Sequence, residues 1–191
     1  MRKLFLLTFV LISQITFAQK KKLEMPNVPF KNGEIVYEKS YNVAGQSADQ
    51  LYSNSESWFV KRYKSAEGIE TKDRPTGKVI GSGTEFLTFD GPFSTDVDCK
   101  VKMMIQIDSK DGGYNVRIYN IVYGYQSDPT KEREFCKAED MMNYILGQKV
   151  KNAEGYNPVP FNKNNSKRAL GRLNGLIDNV MASINQTMTG K

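Results

Sequence analysis

The chain has 191 residues, with 27 lysines and arginines against 21 aspartates and glutamates, which gives a formal net charge of +6. This length suits one domain with tails, because domains usually contain about 100 to 200 residues. The sequence has no histidine and only two cysteines, which excludes catalysis by a histidine-assisted nucleophile and argues against a four-ligand zinc site.

The N-terminus has the order of features typical of a secretory signal peptide. Arg2 and Lys3 precede an apolar run from Leu4 to Ile12, and small residues lead up to Ala18. The run is less than half the roughly 20 residues that a membrane-spanning helix needs. We therefore expect residues 1–18 to be removed after Ala18, which leaves a periplasmic or extracellular protein without a transmembrane segment.

Much of the positive charge belongs to the N-terminal region. Arg2 and Lys3 lie in the predicted signal, and Lys20, Lys21 and Lys22 lie at the start of residues 19–33, where Pro26 and Pro29 indicate a tether. The remaining body is close to neutral, so the overall charge gives little support for nucleic-acid binding. We expect no nucleic-acid partner.

The first regular elements are a strand and a helix. From Gly33 onward, Ile35, Tyr37 and Tyr41 fall on one face of a predicted strand. The spacing of Ser47 and Gln50 then matches a capping box and predicts a helix over about 48–64. Trp58 lies in the apolar stripe of this helix, and we expect it in the core rather than on a carbohydrate-binding surface.

Residues 69–126 have the patterns of consecutive strands. A short IETKD strand, a turn at 74–77 and a KVIGSGTEFLTF strand come first. VDCKVKMMIQID then alternates strictly, with Cys99, Val101 and Met103 on one face and Lys100 and Lys102 on the other. Asp111-Gly112 predicts a hairpin into the next strand, YNVRIYNIVYGY.

The C-terminal part is predicted to be helical. Apolar spacing indicates helices over about 137–150 and 166–188, separated by a loop with two prolines. Gly171 and Gly175 within the second helix suggest a close approach of another backbone. We assign 34–126 to an α+β domain and 127–191 to a C-terminal helical extension.

The two cysteines allow opposite interpretations. In an exported protein, Cys99 and Cys136 could form a disulfide. The alternative is a small buried residue at Cys99 and a free thiol at Cys136. The sequence cannot test the geometry that a bridge requires.

The segment from Glu34 to about Gln126 resembles the exported bacterial proteins grouped as domain of unknown function 4468. The resemblance rests on a Ser-Ala-Asp-x-Leu-Tyr helix start, a Trp-Phe pair and a Gly-Lys-Val-Ile-Gly-x-Gly strand. The matching positions are Ser47, Ala48, Asp49, Leu51, Tyr52, Trp58, Phe59, Gly77, Lys78, Ile80, Gly81 and Gly83. It implies a TBP-like fold, here a curved antiparallel sheet of about five strands in the order β-α-β-β-β-β-α-α with helices on one face. It implies no activity and no cofactor.

The glycine-rich stretch TGKVIGSGTEF is not expected to bind phosphate. A phosphate-binding loop places Gly-Lys-Ser/Thr at the start of a helix, whereas here Lys78 precedes Val79 and a strand pattern follows. We instead expect Gly81 and Gly83 to lie in mid-strand beneath a helix or at a bend.

Paired carboxylates offer the other route to catalysis. The three local pairs, Asp96 with Asp98, Glu132 with Glu134 and Glu139 with Asp140, are expected to be solvated surface charges. We therefore predict no catalytic residue, no cofactor and no metal.

Two groups of residues are candidate interaction surfaces. Alternation along the last strand predicts that Tyr119, Tyr123 and Tyr125 share one side, either exposed for a partner or covered by the helices. The last predicted helix has a basic edge that contains Lys167, Arg168 and Arg172.

These features favour a non-enzymatic binding module whose partner is an unknown envelope protein or cell-surface component. The alternative is a carrier that holds a small apolar ligand between sheet and helices, lined by Met103, Met104, Met141 and Met142.

Overall fold

The computed structural model describes residues 23–65, 67–91, 95–126, 128, 130–150 and 159–190. The predicted signal peptide lies outside these residues. The strands are β1 (Phe30–Lys31), β2 (Glu34–Ile35), β3 (Tyr37–Asn42), β4 (Ile69–Asp73), β5 (Lys78–Asp90), β6 (Asp96–Lys110), β7 (Gly113–Tyr125) and β8 (Glu134–Lys137). The helices are α1 (Ala48–Tyr63), α2 (Ala138–Leu146) and α3 (Lys163–Thr189).

Six strands form one antiparallel sheet, in the order β3-β7-β6-β5-β4. β8 also pairs with β7, beyond the residues that β3 occupies. β1 and β2 form a separate two-stranded hairpin. The fold class is therefore confirmed as α+β with helices on one face, but the sheet has six strands rather than about five, because the four-residue β8 is added before α2.

The helix after β3 begins where its capping box predicts. The Ser47 hydroxyl accepts a hydrogen bond from the Gln50 N–H, and the Gln50 side chain accepts one from the Ser47 N–H. Both bonds satisfy backbone donors that a helix start would otherwise leave free. α1 then packs on the sheet, and Trp58 is buried in the core as expected.

The longest helix, α3, belongs to the same core as the sheet. Its apolar stripe is buried, and side chains from the sheet and from α1 reach its polar groups. The Tyr37 hydroxyl donates to Asn174 Oδ1 (2.7 Å) and the Tyr114 hydroxyl to Asn185 Oδ1 (2.9 Å). Burial raises the pKa of both phenols. The division into a domain at 34–126 and an extension at 127–191 stays a prediction, although their side chains form one buried cluster.

Gly81 and Gly83 lie in the middle of β5 beneath α1, as the strand interpretation predicts. A β-carbon on Gly81 would stand 2.7 Å from both the Gly68 carbonyl oxygen and the Phe59 ring. One on Gly83 would overlap Tyr63. The glycines therefore let the helix and the neighbouring chain approach the strand closely, which is the usual role of glycine inside a strand.

The α3 glycines behave differently from the prediction. Among the described residues, no atom outside the helix lies within 4 Å of a β-carbon built at Gly171 or Gly175. Both residues are exposed on the outer side of α3, so no described backbone approaches them there.

Candidate functional site

Helices cover one face of the six-stranded sheet, and the opposite face, which we call the open face, has none of them packed on it. At one end of the open face the register aligns four residues across four strands. Phe86 of β5 pairs with Lys100 of β6, Lys100 with Gly124 of β7, and Gly124 with Phe135 of β8. We call this set the aromatic row.

The two rings of the aromatic row are exposed to different degrees. Phe86 is 73% exposed, and Lys100 Nζ stands 5.8 Å from the centre of its ring. Phe135 is 44% exposed, and its ring lies over Gly124, where an added β-carbon would approach it to 3.0 Å. Phe135 therefore covers bare backbone, whereas Phe86 is largely exposed and its ring faces the Lys100 amine.

Arg133 extends the aromatic row with a positive charge. Its guanidinium donates to the Gly124 carbonyl oxygen (3.0 Å) and to Gln126 Oε1 (3.1 Å). Both acceptors are uncharged, so these bonds position the guanidinium without neutralising it. This end of the open face thus combines exposed aromatic rings with an arginine, and both residue types are enriched in protein interfaces.

The three predicted tyrosines do not share one side. Between the pairs Lys102–Val122 and Met104–Tyr119 the register shifts, so that Asn120 and Ile121 together oppose one residue of β6. Asn120 has a φ of 50°, and the irregularity is a β-bulge, which reverses the alternation of a strand.

As a result, Tyr119 lies on the open face, whereas Tyr123 and Tyr125 lie on the covered face. The Tyr123 hydroxyl donates to the Ala169 carbonyl oxygen of α3, and the side chain is fully buried. Tyr125 packs against Phe161 at 4.9 Å between ring centres. The prediction of a common tyrosine face is therefore wrong, and the alternative of helix cover holds for Tyr123, whereas Tyr125 packs against the segment that precedes α3.

The basic edge of α3 holds other parts of the chain. Lys167 donates to the Leu23 carbonyl oxygen (3.0 Å) and Arg168 to the Asp90 carbonyl oxygen (2.9 Å), while Arg172 lies 3.8 Å from the Asp90 carboxylate. These cations line a cleft of about 460 Å³ together with the N-terminal segment. They therefore lie along the helix layer, apart from the open face and from Tyr119.

Both cysteines are free and buried on the covered face. Cys99 pairs with Tyr125, and Cys136 pairs with Tyr123 from the opposite side of β7. Two strand spacings of about 4.8 Å separate them, whereas a bridge needs α-carbons within about 7 Å. The possible disulfide is therefore not formed, and burial raises the pKa of each thiol to about 12.

A polar cleft of about 360 Å³ opens beside the bulge. The pairing of β3 with β7 ends at Ile118, and that of β8 begins at Val122, which leaves a gap in the strand order. Arg117, Tyr119 and Asn120 line the cleft from β7, while Lys137, Glu139 and Asp140 line it from the start of α2.

The carboxyl groups in this cleft differ from the solvated pair expected of Glu139 and Asp140. Burial raises the pKa of both carboxyls. Glu139 Oε1 accepts a hydrogen bond from the Ile35 N–H (3.1 Å), which joins α2 to the β1–β2 hairpin. The expectation of a purely solvated pair is wrong, because β2 of the hairpin packs on this helix start.

The methionines proposed to line a ligand cavity are distributed over both faces. Met103 and Met141 are fully buried and Met142 nearly so, within one continuous core cluster. Met104 pairs with Ser82 and points to the open face. Among the described residues, no three acidic or thiol side chains converge in a metal-binding arrangement.

Sequence reasoning missed the aromatic row. One signal was present, since Phe86 stands between Thr84 and Thr88 on the polar side of an alternating strand. Phe135 carried no such signal, because it lies in a four-residue strand that the sequence pattern does not reveal.

No helix within the described ranges combines the length and apolar character that a membrane crossing requires.

Comparison with known proteins supports the fold. A crystal structure of a DUF4468 family protein from Bacteroides ovatus is similar with a TM-score of 0.56 at 21% identity, covering 82% of this chain and 90% of the other. A TBP-like protein from Parabacteroides distasonis is similar with a TM-score of 0.57 at 18% identity, covering 83% and 97%. No curated protein matches the chain in sequence. Residues 37–124 match the family described as domain of unknown function (DUF4468) with TBP-like fold.

Proposed function

We propose that the protein is an exported, non-enzymatic binding module that uses the open face of its sheet to contact an envelope protein or a cell-surface component. The observation that carries the proposal is the 73% exposure of Phe86 at the end of a cross-strand row that also contains Phe135. Exposed rings of this kind anchor interfaces, because a partner removes their apolar surface from water.

Other features support a binding role without catalysis. The chain has no histidine. Glu139 has a raised carboxyl pKa, but one of its oxygens already accepts a hydrogen bond from the Ile35 N–H. Export is supported by the signal-like residues 1–18. A carrier of a small apolar ligand has less support, because Met103 and Met141 are fully buried in the packed core.

Site-specific photo-crosslinking tests the proposal. The photoreactive residue p-benzoyl-phenylalanine would replace Phe86 or Phe135 in the full chain, expressed in the bacterium that produces it. Val60 provides the matched control, because it is 44% exposed but lies on α1.

We expect one discrete protein adduct from positions 86 and 135 and none from position 60. Adducts from position 60 alone, or no adduct from any position, would contradict binding through the open face. A small molecule retained in native mass spectra of the purified protein would support the carrier instead.

A further inference from the structure

The open face carries unevenly distributed charge. At the end away from the aromatic row, two cations face acids: Lys78 Nζ lies 4.0 Å from Asp108, and Arg117 Nε lies 3.2 Å from Glu38. Within each pair the opposite charges largely cancel in the field that an approaching partner experiences. Lys78 and Arg117 therefore add little net attraction, although Lys110 at the end of β6 is exposed.

At the aromatic row the cations have no such acids. Lys100 and Lys102 are exposed, and neither forms an ion pair within the part of the chain that the structure describes. Arg133 is bonded only to neutral oxygens in its two hydrogen bonds. The acid nearest along β6, Asp98, accepts a hydrogen bond from the Thr88 hydroxyl (2.6 Å), which leaves one negative charge against these three cations. Positive charge therefore outweighs negative charge around the two rings.

We infer that the aromatic row binds a short acidic segment of a partner protein that also carries an apolar side chain. This inference rests on the proposed binding role of the open face. The rings would bury the apolar side chain, and the amines of Lys100 and Lys102 would pair with carboxylates beside it. Complementary charge of this kind selects partners and speeds their association.

The dimensions of the row fit a short segment. Phe86 and Phe135 lie on strands separated by three spacings, which is about 14 Å. An extended peptide rises about 3.3 Å per residue, so roughly four to five residues span the row. The length of the aromatic row therefore matches that of a short extended peptide.

A nucleic-acid strand fits the open face less well. A phosphate backbone running beyond the aromatic row would meet Glu38, Asp98 and Asp108 on the same face. A nucleic-acid-binding surface instead carries a basic stripe that follows the backbone. The distribution of charge therefore favours the acidic peptide, and nucleic-acid binding is one outcome that the test can detect.

Selection from random peptides tests the inference without a known partner. The full-length chain, immobilised through a C-terminal tag, would be used to select from a phage-displayed library of peptides about 12 residues long. The enriched peptides would then be synthesised, and their affinity measured by fluorescence anisotropy. We expect enriched peptides that are net negative and contain at least one large apolar residue.

Charge-reversal variants give the quantitative result. Lys100→Glu with Lys102→Glu should weaken binding of the enriched peptides by about tenfold or more, because attraction becomes repulsion. The matched control, Lys61→Glu with Lys110→Glu, changes the net charge equally at exposed positions away from the row, and it should change affinity by less than about twofold.

The possible failures are distinguishable. Enriched peptides without acidic bias that still require Phe86 would overturn the acidic partner and leave the proposed binding face intact. If no enriched peptide requires Phe86, both proposals fail. Tighter binding of oligothymidine than of any enriched peptide, lost in the double Lys100/Lys102 variant, would replace the peptide with nucleic acid.

Discussion

The covered and open faces of the sheet are made from alternate residues of the same strands, yet they obey different constraints. On β6, the covered side chains from Cys99 to Ile107 are at most 1% exposed, whereas Lys100 and Lys102 beside them are exposed. Packing against helices determines the first set. The second set is free of that requirement, so packing against the helices does not account for a large apolar residue such as Phe86 on the open face.

Neighbouring residues of β5 allow the sharpest test of this difference. Leu87 is 5% exposed on the covered face, and Phe86 is the exposed ring of the open face. Leu87→Ala should lower the free energy of unfolding by about 2–5 kcal/mol, because it leaves a cavity. Phe86→Ala should change it by less than about 0.5 kcal/mol. Urea denaturation of both variants measures the effect, and equal losses would contradict the contrast between the faces.

A second pair of variants tests how closely α1 and the Gly68 backbone approach β5. Gly81→Ala should lower the free energy of unfolding by about 1–3 kcal/mol, because the new methyl group would press on the Gly68 carbonyl oxygen and the Phe59 ring. Ser82→Ala, on the adjacent open-face residue, is the control and should be nearly neutral. A stable Gly81→Ala variant would show that α1 does not lie as close to the strand as described.

The smallest predicted effect is the change with pH in the stability that Glu139 contributes at the cleft beside the bulge. Burial raises the pKa of Glu139 above its ordinary value of 4.5, so the folded protein holds this proton more tightly than the unfolded chain. This group therefore lowers stability as pH rises from about 4.5 through its folded pKa. Glu139→Gln should be more stable than the parent above that range and equal to it below 4.5.

Thermal unfolding of the parent and Glu139→Gln from pH 4 to 8 measures this difference. The glutamine retains an oxygen that can accept from the Ile35 N–H, so the comparison isolates the charge. A variant less stable than the parent at neutral pH would mean that the charged hydrogen bond outweighs the cost of burying the carboxylate.

Local patterns predicted most of the fold. The capping box at Ser47 located the start of α1, and strict alternation identified the two faces of β6. The short β8 escaped prediction, because four residues carry too little periodicity. It forms through pairing with β7, a tertiary contact that the segment 134–137 does not encode by itself.

The candidate site was less accessible to sequence reasoning for a physical reason. The aromatic row exists only because four strands pair in one register, which brings Phe86 near Gly124 and Phe135 from 38 or more positions away along the chain. Alternation could identify Phe86 as an apolar residue on a polar face. It could not identify the partners of Phe86 or the unequal charge at the two ends of that face.

The bulge at Asn120 also makes one position of β7 tolerant of a change in length that a regular strand would not accept. Before the bulge, residues of even number such as Tyr114, Val116 and Ile118 point to the helices, and after it residues of odd number do so, because two residues oppose the single Met103 of β6. Deleting Asn120 would leave Ile121 alone opposite Met103, so the pairing on either side would be unchanged and the Tyr123 ring would stay against α3. A one-residue deletion in the regular alternation of β6 would instead turn the side chains beyond it to the other face of the sheet.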